Sequence, residues 1–255
     1  MKNDRLKSIL GIPYFLFLVI FVVCPVLILL YYAFTNGAGE FSLANFTLFF
    51  TDSKAIGTLI YSVMVAVVTT IVCLLIAYPV AYLLAKGEFR RGNVLLMLFV
   101  MPMWINFTLR ITALKEILTL IEGNLAFHPF LNTVIGMTYD FLPFMILPIY
   151  NTIAKIDHSY IEAAKDLGAK SYRVFLRVIL PLSIPGIISG ITMVFLPSMT
   201  NYVVLDMIMG SLVGSYFSMY DWNNGSVISM ILLILILLLS TITGEFSDKE
   251  DNAYE

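Results

Sequence analysis

Ile9 to Phe34 is a run of 26 residues without one charged side chain. At about 1.5 Å of rise per residue, a helical run of this length crosses the hydrocarbon of a bilayer. Secretory signal peptides have a shorter apolar core and a small-residue cleavage site. Neither is evident here, so the run reads as a retained first transmembrane helix, with Pro13 and Pro25 as candidate kinks. Five further apolar stretches follow, at Ile56–Ala85, Gly92–Leu114, Phe130–Ala154, Leu182–Leu205 and Ser226–Thr243. The expectation is an all-α polytopic membrane protein with six transmembrane helices over residues 9–243. A short basic segment, 1–8, precedes them, and an acidic tail of disordered composition, 244–255, follows.

Composition agrees, at 60% hydrophobic and 13% charged residues, where soluble domains hold roughly 45–50% and 25%. The net charge of −2 and the lack of a basic block larger than a loop exclude nucleic acid as a partner. Cys24 and Cys73 both fall inside apolar spans and read as small buried hydrophobes. His128 and His158 stand apart, so neither a metal site nor a cofactor is expected. No phosphate-binding Gly-x-x-x-x-Gly-Lys-Ser/Thr loop occurs, which excludes ATP binding by that route. An intramembrane hydrolase would need a motif such as His-Glu-x-x-His, Gly-x-Ser-x-Gly or paired aspartates, and none is present.

Lysine and arginine set the expected orientation. With the N-terminus inside, the inner segments hold 12 of them, against Lys54, Arg110 and Lys115 outside. That asymmetry puts both termini in the cytoplasm.

Between the fourth and fifth apolar stretches lies residues 155–181, which carry Lys165, Asp166, Lys170, Arg173 and Arg177. A segment this charged does not sit in hydrocarbon. Ser159 and Glu162 have capping-box spacing, which predicts a helix from Tyr160. Gly168 suits a left-handed stop. Ser171 is a candidate cap for a second helix, with Pro181 as its end. On that second helix Val174, Phe175, Val178 and Ile179 share one face, and Arg173 and Arg177 point away.

Two charges fall inside spans. Arg110 lies near the outer end of span three and Asp140 two to three turns into span four. Charges at this depth pair with one another, snorkel to the interface or face water. Asp140 therefore has two candidate roles, as the partner of Arg110 or as a carboxylate on a solute pathway. Trp104, deeper than an interfacial belt, either packs on a neighbouring helix or lines that pathway. Tyr202 is an interfacial anchor or a pathway residue, and Asp206 a solvated loop carboxylate or part of an outer mouth. A carboxylate beside aromatic rings attracts any cationic solute. Gly186 and Gly190 have the spacing that lets a neighbouring helix backbone approach, and Pro197 is expected to break span five before Asn201.

Glu162-Ala163-Ala164, with Gly168 and then Ile179-Leu180-Pro181, resembles the EAA loop of ABC importer permeases. Three further patches, Ala77–Lys86, Pro102–Trp104 running on to Arg110, and Leu142–Tyr150, resemble the permeases of spermidine/putrescine-type importers, as does Phe195–Val204. The resemblance extends from Ile12 to about Leu237. It implies a MetI-like six-helix permease fold, and a loop at Glu162, Ala163, Ala164, Asp166, Gly168 and Pro181 that couples to an ATPase. It also implies a second related permease subunit, two ATPase subunits that carry the hydrolysis, and an extracytoplasmic polyamine-binding protein. Trp104, Tyr202 and Asp206 match positions near the solute path. The segment after Gly210 is several residues shorter than the family pattern. The readings set against this one are a permease of the same class for another small solute or ion, and a receptor or channel with no ATPase partner.

Overall fold

The computed structural model describes residues 12–87, 92–201, 204 and 222–251. Among them the chain is helical apart from turns and one antiparallel bridge between Thr35 and Phe41. They divide into two compact units, one within residues 1–57 and 215–236, the other within 58–214 and 237–255.

In the first unit, α1 (Ile12–Ala33) is apolar and exposed along its length. Its end is closed by asparagine side chains. Asn45 Nδ2 donates to Ala33 O and to Thr35 O (3.3 and 2.8 Å), and Asn223 Nδ2 donates to Tyr32 O and Thr35 O. These bonds satisfy carbonyls that a helix end leaves free. A tight turn follows, with Gly39 at φ +80° and the Asn36 side chain accepting from Ala38 N and Glu40 N. Between the first and second apolar stretches part of the chain is helical, as α2 (Ala44–Thr51). Phe34 ties the segment back to α1: its ring stacks on Phe41 and meets Phe46 at a tilt, while Phe41 stays exposed on its outer side.

The second unit is built around α6 (Pro129–Lys155), which is buried on most of its circumference. α3 (Ser53–Lys86) touches it at Tyr61, whose ring meets Phe130 edge-on, and at Cys73, whose Sγ lies 3.9 Å from Thr138 O; Ala66, Cys73, Ala77 and Ala81 of α3 are all fully buried. Small side chains let two helix backbones approach where lipid supplies no hydrophobic drive. α9 (Ile184–Thr200) packs against α6 from another side. Pro79, Pro143, Pro148 and Pro197 all lie inside helices, as prolines in membrane helices can. Pro197 thus does not break its helix, which runs three residues further, to Thr200.

Span three is not one helix. α4 (Gly92–Val100) passes into a 3₁₀ turn at Met101–Trp104, Ile105 is extended, and α5 (Phe107–Glu122) leaves at 97°. Pro102 removes a backbone donor just where Asn106 offers a cap: its Oδ1 accepts from Thr108 N and Leu109 N (3.0 and 3.4 Å). α5 continues through Ile117, Leu118 and Ile121 and stops at Gly123 (φ +74°).

By length and apolarity, α1, Leu59–Lys86 of α3 and α6 can each cross a membrane alone. The pair α4/α5, and the pair α8 (Ser171–Leu182) with α9, can do so as bent spans. α10 (Trp222–Asp251) contains a shorter apolar stretch, Gly225–Leu238, and continues as helix through Gly244 into the acidic residues expected to be disordered.

Candidate functional site

The charged stretch 155–181 folds into an elbow of two helices. α7 (His158–Asp166) starts two residues earlier than the capping-box spacing predicts. Asp157 is the cap, with Oδ1 accepting from Ser159 N at 2.9 Å. Glu162, instead of reaching back to the Ser159 backbone, faces His158 Nδ1 across one turn at 3.1 Å. The Ser159 backbone N–H beside Asp157, then the Ser159 hydroxyl, hold its carboxyl below the usual carboxylate range. Gly168 stops the helix at φ +78°. Its N–H donates to Lys165 O (2.8 Å) and Ala169 N–H to Ala164 O (3.0 Å), the paired bonds of a Schellman end. Ser171 does not cap α8. Lys170 holds that position, and its carbonyl accepts from Arg173 N and Val174 N.

Pro181 does not end α8 either. The turn before it is widened, with Leu180 N–H reaching back to Phe175 O. The same widening precedes Pro25 in α1, where Cys24 N–H donates to Val19 O. One extra residue in the turn removes the carbonyl that a proline ring would strike. The chain bends at Ser183 instead, by 61°.

One side of the elbow is anchored. Val174 and Ile179 are buried, and the Phe175 ring meets Tyr78 and Tyr82 of α3 edge-on, at 5.7 and 5.4 Å. Lys86 Nζ donates to Ile156 O at 2.6 Å, tying the end of α3 to the start of the elbow. At the far corner the Tyr78 and Ser183 hydroxyls lie 2.8 Å apart. The other side is bare. Tyr160, Tyr172 and Leu176 are exposed, and Leu167 is 89% exposed beside Glu162, Ala163, Asp166 and Gly168. Leu167 thus stands as an exposed apolar residue among charged ones, the kind of surface on which partners dock in other proteins.

The remaining candidates lie elsewhere. Arg110 and Asp140 come together, with Nη2 2.5 Å from Oδ1 and both side chains buried. The depth of Arg110 is not that of a straight span, because the 97° turn precedes it and places it in the first turns of α5. Arg110 points inward and does not snorkel, and its Nε and Nη1 have no protein partner. Trp104 is 83% exposed at the end of the 3₁₀ turn, so among the described residues no helix covers it. Tyr202 and Asp206, and the short segment after Gly210, lie outside the described residues. Gly186 and Gly190 are buried against α6, and a Cβ on Gly186 would meet Thr152 Oγ1 at 2.5 Å and Pro148 O at 2.8 Å. Among the described residues no group of acidic, histidine and cysteine side chains could hold a metal. Tyr78, Tyr82, Lys86 and Ser183 are absent from the sequence-derived site. The four-residue spacing of the two tyrosines was the available signal.

Residues 74–247 match the model of a family described as binding-protein-dependent transport system inner membrane component. A spermidine/putrescine transport system permease protein, PotB, of Haemophilus influenzae is 36% identical over 93% of this chain and 92% of its own length. PotB of Escherichia coli strain K12 is 34% identical over 78% and 80%. Among solved structures, a chain of a bacterial ABC transporter that imports the acidic polysaccharide alginate superposes with a TM-score of 0.73 at 14% identity, over 97% of this chain and 96% of its own. A chain of the inward-facing MetNI methionine ABC transporter gives 0.62 at 16%, over 76% and 94%. These last two likenesses concern the fold.

Proposed function

The chain belongs to the binding-protein-dependent transport system inner membrane components, multi-pass proteins of the cytoplasmic membrane, and we propose that it is the permease subunit of an ATP-driven polyamine importer. The observation that carries the solute class is 36% identity to a spermidine/putrescine permease over nearly the whole of both chains. The elbow supplies the mechanism. It is braced on one side by Phe175 and Lys86 and open on the other at Glu162, Ala163, Asp166, Leu167 and Gly168, with Ala164 between them turned partly toward the core, in a chain without a nucleotide-binding loop. A separate ATPase subunit docks there, and its closure moves α7 and α8 as a lever. The elbow and both termini face the cytoplasm, following the lysine and arginine count. A second related permease completes the pathway, with two ATPase subunits beneath and an extracytoplasmic binding protein above. A structural neighbour, the alginate transporter, is known in complex with a periplasmic protein.

Trp104, Tyr202 and Asp206 are assigned to the solute path, and Asp140 to the ion pair with Arg110. That the fold is shared with an alginate transporter favours a second reading, a permease for another solute, since the architecture does not select the cargo. The test is ATP-driven uptake of labelled spermidine and putrescine by the reconstituted complex, with an acidic oligosaccharide as comparison. Uptake of the two amines alone is expected, abolished by Glu162→Arg in a complex that no longer retains its ATPase. Uptake that ignores that substitution would remove the coupling assignment.

A further inference from the structure

Where the elbow turns into α9, the corner is held by one buried chain of hydroxyl contacts. Ser183 sits at the 61° bend and is fully buried. Its N–H donates to Ile179 O at 2.9 Å and Leu180 O at 3.1 Å, and its Oγ donates to Leu180 O at 2.8 Å. A serine has one hydroxyl hydrogen, and here it is used on Leu180. The 2.8 Å contact with Tyr78 is then a bond in which the tyrosine O–H donates to Ser183 Oγ. The same tyrosine ring lies edge-on to Phe175, near the start of α8. One side chain of α3 thus touches α8 near its start and again at the corner where α8 ends.

We propose that Tyr78 and Ser183 are positioning residues of transport, through which displacement of the elbow sets the angle between α8 and α9. The aromatic contact at Phe175 tolerates sliding, because ring packing has a broad optimum. The hydroxyl contact does not: in a dry site an unpaired hydroxyl is costly, so it is either made or broken. α8 moving as a body changes the bend at Ser183, and the Tyr78–Ser183 bond is the buried polar contact that the change must break or remake. The widened turn at Phe175–Ile179 lies between the two contacts, where an altered backbone ladder is already in place.

This rests on the elbow being the ATPase-facing lever, and the test separates the two ideas. The reconstituted transporter is assayed for radiolabelled spermidine imported per ATP hydrolysed. Tyr78→Phe keeps the ring and removes the hydroxyl, and Ser183→Ala removes its partner. Each is expected to lower the ratio about fivefold, the population change set by one ordinary buried hydrogen bond. The double variant is expected to fall no further than either single one. An unchanged ratio in both singles, additive losses in the double, or failure of both singles to assemble overturns the proposal, the last making the bond purely structural. Absence of ATP-dependent uptake in the unmodified complex instead removes the importer reading, and this proposal with it.

Discussion

Arg110 and Asp140 bury opposite charges against each other, yet the guanidinium uses one of its three nitrogens in the bond. Breaking such a pair from one side leaves the other charge stranded. Asp140→Asn and Arg110→Gln should each cost about 3–5 kcal/mol, and replacing both by apolar residues of similar volume should recover most of that. Chemical unfolding in detergent reads both. A folded Asp140→Asn protein of normal stability that no longer transports would instead put the carboxylate on the solute path. Asp157 offers a pH test. Its carboxyl is held below the ordinary value by the Ser159 backbone N–H, so its contribution to α7 is present above the ordinary carboxylate pKa and lost as pH falls through the depressed one. Amide exchange in α7 should therefore quicken as the pH drops below about 4, relative to Asp157→Ala, which should lack the step.

At the scale of elements, the α6–α9 contact is set by two glycines with different neighbours. A Cβ at Gly186 would press on the Pro148 carbonyl, which cannot move cheaply, and on Thr152; one at Gly190 would press first on the Met145 sulfur, at 2.7 Å, at the flexible part of a side chain. Gly186→Ala should cost about 1–3 kcal/mol and Gly190→Ala distinctly less, read as the order of their thermal unfolding midpoints. The small-xxx-small spacing was visible in the sequence, but which of the two is the tighter was not, since that depends on the facing residues of α6. The break in span three was legible in principle: Pro102 and Asn106 are a helix stop and a helix start four residues apart. High average hydropathy through Leu114 concealed it, because hydropathy measures solvent preference and is blind to direction.

At the scale of the whole molecule, the proposed docking of an ATPase requires the bare side of the elbow to face the cytoplasm. A cysteine placed at Lys165, in a chain with Cys24 and Cys73 replaced by alanine, should react with a membrane-impermeant maleimide in inside-out vesicles and not in intact cells. The opposite labelling would invert the orientation and detach the elbow from any cytoplasmic motor. In the elbow itself, the left-handed φ of Gly168 ends α7 and Leu167 before it is exposed.

The one-dimensional pattern of charge and apolarity was sufficient for the class of fold and the location of the elbow, because exclusion of charge from hydrocarbon and glycine's access to positive φ are local properties; the family resemblance rested on particular residues, Glu162-Ala163-Ala164, Gly168 and Ile179-Leu180-Pro181 among them. It was insufficient for the helix caps: Asp157 and Ser159 are near-equal choices, and at the second helix the position goes to Lys170, which makes no side-chain cap bond, although Ser171 beside it has the preferred side chain. It was insufficient, too, for the bend at Ser183 in place of Pro181, and for the hydroxyl that meets it from α3, 105 residues away. Contacts of that kind exist only once separate helices are packed side by side, and only the tertiary structure decides them.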